Sequence, residues 1–178
     1  QEIIIKPDEK SIDEAAELLV NSNNIGMLIG DRIVQISNPY IPTKLAELLG
    51  AKVYSSNYSE MIFPNKHPNY INNLKLGFNS SDEFEEFDTV LAIGGLPRVS
   101  YMFSNPKMRI FNPKSKLIHI DNDPSQVGTT EKTDIGIISD PSDALNKLTI
   151  KVEELLQGNK LEFFTEKNLL LKKEKEKA

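Results

Sequence analysis

The chain contains no cysteine, which excludes a disulfide framework, a thiolate zinc site and a cysteine nucleophile. Only two histidines are present, His67 and His119, so imidazole general-base chemistry would have to rest on one of them. There is no G-x-S-x-G elbow for a serine hydrolase, no P-loop, and no full G-x-G-x-x-G fingerprint. No apolar run approaches the roughly 18 residues of a spanning helix, and no basic stretch followed by an apolar one opens the sequence. A membrane partner is therefore not expected, and the default location is cytoplasmic. Basic residues are in deficit, with 21 Lys and Arg against 26 Asp and Glu and a net charge of -5. That is the wrong sign for binding through phosphate neutralisation, so nucleic acid is not an expected partner.

What is present suits a globular chain. The 178 residues are 39% hydrophobic and 26% charged, enough for one core with some length to spare. Ser11-Ile12-Asp13-Glu14 fits a capping box, with the Ser11 oxygen as cap and Glu14 reaching back. Ile12, Ala15, Ala16 and Leu19 then share one face of a helix running to about Ser22. Ile25 to Ile29 is a short apolar run of the kind covered on both faces in a parallel sheet. A second helix carries Leu45, Leu48 and Leu49 and stops at Gly50; Pro39 or Pro42 could open it. Further strands are expected at Lys52 to Ser55, Thr89 to Ile93, Lys116 to Ile120 and Ile135 to Ile138. Between them lie an irregular loop around Pro64, His67 and Pro68 and a short acidic helix bearing Phe84 and Phe87. Asp123-Pro124 reads as a turn and helix cap. Asp140-Pro141 opens a last helix with Leu145, Leu148, Val152, Leu155 and Leu156 in one stripe.

Strands alternating with helices predict an α/β fold: a doubly wound, mainly parallel sheet of five or six strands with helices on both faces, Rossmann-like in outline. Such sheets bind ligands beyond the carboxyl ends of their strands. Gly30, Gly94, Gly95, Asp121, Asp123 and Asp140 collect at that edge, with Arg98 just downstream. Two readings stand for each group. The glycines could admit a pyrophosphate to the backbone, helped by Arg98, or could simply make tight turns. Asp121 and Asp123 could face a ribose, or Asp123 could cap a helix. Asp31 follows Gly30 directly and places a negative charge where a diphosphate would approach. His119 lies within an apolar strand and reads as a core residue. His67 has no visible catalytic partner. Residues 1–157 are expected to form the domain, with 1–10 as an entering connector, and 158–178 a charged linker or helix rich in Lys and Glu.

Several motifs in order resemble the central domain of thiamine-diphosphate-dependent enzymes, the family of acetolactate synthase and benzoylformate decarboxylase. They are Leu28-Ile29-Gly30-Asp31, LAELLGAKV from Leu45 to Val53, FPNKHPNY from Phe63 to Tyr70, TVLAIGG, KLIHIDNDP from Lys116 to Pro124, and SDPSDAL. The FPNKHPNY loop and Gly94-Gly95-Leu96-Pro97, with Arg98 and Tyr101 behind it, are most similar to the benzoylformate decarboxylase branch. The resemblance implies a spacer and packing module with no catalytic residue of its own. Thiamine diphosphate and magnesium would be held by flanking catalytic domains of a longer, oligomeric parent acting on a 2-oxo acid. It also implies that in some members the central domain holds FAD or ADP, at positions matching Gly30, Gly94, Gly95, Asp121, Asp123 and Asp140. Here Leu96-Pro97 separates Arg98 from Gly95, a departure from the FAD-binding pattern. The competing reading is a free-standing subunit of the same fold that binds FAD, ADP or NAD.

Overall fold

The computed structural model describes residues 4–35, 38, 40–56, 63–74, 84–96, 111–129 and 131–177. Six parallel strands form one sheet: β1 (Ile25–Ile29), β2 (Lys52–Ser55), β3 (Tyr70–Asn73), β4 (Thr89–Ile93), β5 (Lys116–Asp121) and β6 (Ile135–Ile138), in the order β3-β2-β1-β4-β5-β6. β1 and β4 are buried along their whole length, which is why their sequences are unbroken apolar runs rather than alternations. The chain builds outward from β1 in one direction, returns, and builds outward from β4 in the other. The order therefore reverses between β1 and β4, and this is the switch point at which open α/β sheets place their ligands.

Four helices accompany the sheet: α1 (Glu9–Val20), α2 (Tyr40–Leu49), α3 (Pro141–Leu155) and α4 (Asn159–Lys177). Residues from all four join Met27, Ile29, Val53, Leu91, Ile93, Ile118 and Ile120 in one core cluster, on one face of the sheet. The opposite face, carrying Leu28, Tyr54, Val90, Ala92 and Leu117, is covered in the described residues by Leu74, Phe84, Phe87, Leu96 and Phe111. The Phe84 ring sits 4.8 Å from Tyr54, 5.4 Å from Phe87 and 5.3 Å from Phe111, separations at which tilted and edge-on aromatic pairs attract.

Local signals account for the helix ends, with some revisions. The α1 cap is Asp8 rather than Ser11. Asp8 takes an extended conformation after Pro7, and its carboxylate accepts the Ser11 N–H and the Ser11 hydroxyl, both at 2.9 Å. Glu14 pairs with Lys10 one turn earlier instead of reaching back. Gly50 ends α2 with φ +53, the left-handed geometry for which glycine has no penalty. Asp140 caps α3 through the Ser142 and Asp143 N–H groups, with Pro141 in the first turn. Asp123 caps no helix. Its carboxylate accepts the Ser125 N–H and hydroxyl within a run of turns. Phe84, expected in a short helix, is in 3-10 conformation and is followed by a turn at Glu85 and Glu86, while residues 81–83 lie outside the described residues. β3 was not expected at all.

The lysine-rich end of the chain is α4, which lies across the amino-terminal edge of the sheet. It buries Phe164 and Leu171. Lys160 donates to Asn21, Lys167 to Asn24, and Lys175 to the Tyr70 carbonyl. The Asn168 side chain accepts from the buried Asn69 amide at 3.0 Å and donates to the Glu47 carbonyl.

Candidate functional site

The carboxyl ends of β1, β4 and β5 converge at the switch point, and the backbone there is closely interlocked. Gly30 N–H donates to Ile93 O at 2.8 Å, Gly94 N–H to Ile120 O at 2.9 Å, and Arg32 N–H to Gly94 O at 3.0 Å. The segment Asp31–Gln35 winds as a short 3-10 turn, whose Ile33 N–H donates back to Gly30 O. The glycines are required by this contact. A Cβ on Gly30 would lie 2.6 Å from Gly94 O and 2.7 Å from Gly95 O, and one on Gly94 would lie 2.7 Å from Ile33 N. Gly94 also has φ +70, a conformation costly to residues with a side chain.

Over this interlock lies an ion pair. Arg32 Nε donates to Asp121 Oδ1 at 2.8 Å and Nη2 to Oδ2 at 2.5 Å, a two-pronged geometry that matches a planar guanidinium to a planar carboxylate. The Asp121 side chain is fully buried, while that of Arg32 is 33% exposed. Asp123 N–H donates to Asp121 Oδ1 at 2.9 Å, and His119 Nε2 stands 3.5 Å from Oδ2. Burial pushes the Asp121 carboxyl up, but the nearby His119 ring and the hydrogen bonds from Arg32 and the Asp123 N–H outweigh it. The group is held far below the usual carboxylate range. His119 is itself fully buried between Ala92 and Gly136 in the sheet register, and neither of its ring nitrogens has a hydrogen-bond partner among the described residues.

Of the positions singled out from sequence, Gly30, Gly94, Gly95 and Asp121 come together at the switch point. Asp123 lies just beyond, its N–H on Asp121 and its carboxylate on Ser125 and Gln126. Asp140 is at the end of β6, where its carboxylate caps α3 and its N–H donates to the Ile5 carbonyl. Arg98 lies outside the described residues. His67 is bound on both ring nitrogens, Nε2 to Glu47 at 3.1 Å and Nδ1 to the Asn69 N–H at 3.2 Å, with its ring edge-on to Phe63. Arg32 is the residue that sequence reasoning missed. The one available signal was a lone cation directly behind Gly30-Asp31, in a sheet whose other strand ends carry acids. Among the described residues no group of three or more His, Asp or Glu could hold a metal ion, and no helix is long and apolar enough to cross a membrane.

Comparisons with known proteins agree with this architecture. The chain is 29% identical over 152 residues to the sulfoacetaldehyde acetyltransferase of Roseovarius nubinhibens, covering 82% of this chain and 24% of that protein. It is 24% identical over 152 residues to the acetolactate synthase of Mycobacterium bovis, covering 80% and 23%. The chain thus spans about a quarter of the length of these relatives. Among solved structures, benzoylformate decarboxylase from Polynucleobacter necessarius shares the fold with a TM-score of 0.72 at 22% identity, over 85% of this chain and 28% of that one. The model of the thiamine pyrophosphate enzyme central domain matches residues 12–148, from α1 through all six strands into α3. By that match, and by the sheet and strand order that accompany it, the chain belongs to the thiamine pyrophosphate enzyme central-domain family.

Proposed function

We propose that the chain serves as the central, non-catalytic domain of a larger thiamine-diphosphate-dependent enzyme acting on a 2-oxo acid, of the decarboxylase or acetolactate synthase type. Its role is to space and pack the flanking catalytic domains within an oligomeric, cytoplasmic parent. The observation that carries this reading is the state of the strand ends. Where an α/β sheet normally presents reactive groups to a ligand, Arg32, Asp121 and the Asp123 N–H satisfy one another. Thiamine diphosphate and magnesium do not fit this chain. It contains no Gly-Asp-Gly sequence, and the fully buried Asp121 carboxylate is already engaged by a cation. In this reading the cofactor's chemistry belongs to the flanking domains.

The test is direct. The purified chain, supplied with thiamine diphosphate, magnesium and either pyruvate or benzoylformate, is expected to release no carbon dioxide, and calorimetry is expected to show no saturable heat with the cofactor. Turnover proportional to the amount of chain would overturn the reading.

A further inference from the structure

The sequence leaves the strand-end glycines and acids open to two readings, a nucleotide site or tight structural turns, and the geometry of the switch point bears on the choice. A diphosphate at such a crevice needs free backbone N–H groups, room above the glycines and a polar group free to meet the ribose. Most of the groups placed for these tasks at the switch point are already engaged within the chain. The Gly30, Arg32, Ile33 and Gly94 amides all donate to carbonyls of the chain itself. The space left by the missing Gly30 and Gly94 side chains holds Gly94 O, Gly95 O and Ile33 N, so the glycines serve strand-to-strand contact rather than ligand approach. Above Gly95, a Cβ would stand 3.2 Å from Arg32 Nη2; that face carries the guanidinium. The Asp121 carboxylate, the acid best placed for a ribose, receives Arg32 and the Asp123 N–H instead. The segment directly after β1, Asp31–Gln35, is a short 3-10 turn.

We infer that this domain closes its own nucleotide crevice: the Arg32 side chain, fixed by Asp121, stands where the diphosphate of FAD, ADP or NAD would bind, and the domain carries none of them. Arg32 is thereby a specificity-determining residue, a tethered cation in place of a bound ligand. The inference rests on the proposed reading of the chain as a central domain, and deepens it by removing the nucleotides that such a domain could hold.

The experiment has two arms on the purified chain. In the first, ADP, FAD and NAD are titrated by calorimetry up to about 1 mM, and hydrogen exchange is followed at residues 30–33 and 94–96. No saturable binding and no change in exchange at those amides are expected. Micromolar binding that protects them overturns the inference. In the second, a double-mutant cycle with Arg32→Gln and Asp121→Asn measures coupling through the unfolding equilibrium. A coupling of at least about fivefold in the unfolding constant is expected for groups in one contact network; additive effects overturn it. Should Asp121→Asn fail to fold, Arg32→Lys keeps the charge and removes the second prong. A stability equal to wild type would then overturn the pairing. Nucleotide binding leaves the thiamine diphosphate assay unaffected, so failure of this inference is distinguishable from failure of the proposed function.

Discussion

Arg32 and Asp121 stand 89 residues apart in sequence and are joined by two nearly parallel hydrogen bonds. One belongs to the turn after β1 and the other to the last residue of β5, so the pair spans the intervening end of β4 and ties three strands together. Removing the cation strands a buried carboxylate, whereas removing the acid leaves a cation that water can reach. Arg32→Ala is therefore expected to cost about 2 kcal/mol, less than for a fully enclosed pair because Arg32 is partly exposed. Asp121→Asn should cost less than Arg32→Ala. Urea midpoints compared at neutral pH check the order.

The depressed Asp121 carboxyl also fixes the direction of the acid response. Its folded value lies below the roughly 3.9 of an unfolded chain, so its contribution is complete above about pH 4 and is lost as pH falls toward the folded value. Asp134 acts in the same sense: burial pushes it up, but the Leu117 N–H and Lys116 more than compensate. Stability is expected to hold level from neutral pH to about 5 and to decline below 4. The Asp121→Asn variant should show a shallower decline in a urea series across that range.

Two glycines separate close approach from backbone geometry. Gly30→Ala would drive a methyl to 2.6 Å from a backbone carbonyl that cannot move without opening the sheet, and should cost more than about 2 kcal/mol. Gly128 has φ +75 but nothing within 4 Å of its missing Cβ, so Gly128→Ala should cost only about 1 kcal/mol. Thermal melting of the two variants side by side tests the distinction.

The α1 cap gives a sharper local test. Asp8→Ala removes the acceptor for both Ser11 bonds and should cost about 1 kcal/mol. Ser11→Ala keeps the N–H that the cap needs and should cost less. If the serine were the true cap, the order would reverse in chemical denaturation.

On α4, Phe164 is 1% exposed and Leu170 is 58% exposed. Phe164→Ala should lose about 3 to 4 kcal/mol, the usual cost of emptying a buried aromatic site. Leu170→Ala should stay within about 0.5 kcal/mol of wild type. Equal, small effects would show that the helix does not dock.

Five of the six strands are legible in the sequence because each is a short apolar run bounded by a turn residue. Lys52–Ser55, Thr89–Ile93 and Ile135–Ile138 are found where their composition puts them. β3, reading Tyr-Ile-Asn-Asn, escapes because only Tyr70 of its four residues is buried. An edge strand of that kind is defined by its neighbour β2 and by the Ser55–Tyr70–Asn73 hydrogen bonds, not by hydrophobicity. Asp8 is hard to see as a cap in the sequence because Ser11 and Glu14 offer a complete motif three residues later. The same limit applies at the site. Gly30, Gly94 and Asp121 announce themselves as strand ends, but Arg32 belongs to no period and finds its partner only through the sheet order.

Helix α4 bears on how such a domain can be transplanted. The segment recognisable as the family's central domain stops at residue 148, part way along α3 and before α4 begins. Yet α4 supplies one of the three acceptors of the buried Asn69 amide, and its Lys167 and Phe164 atoms pack against Gly50. A chimera spliced at the limit of recognisable similarity would sever α3 and bare the floor of the sheet. The piece that can be exchanged between relatives as a folding unit is longer than the piece their sequences share.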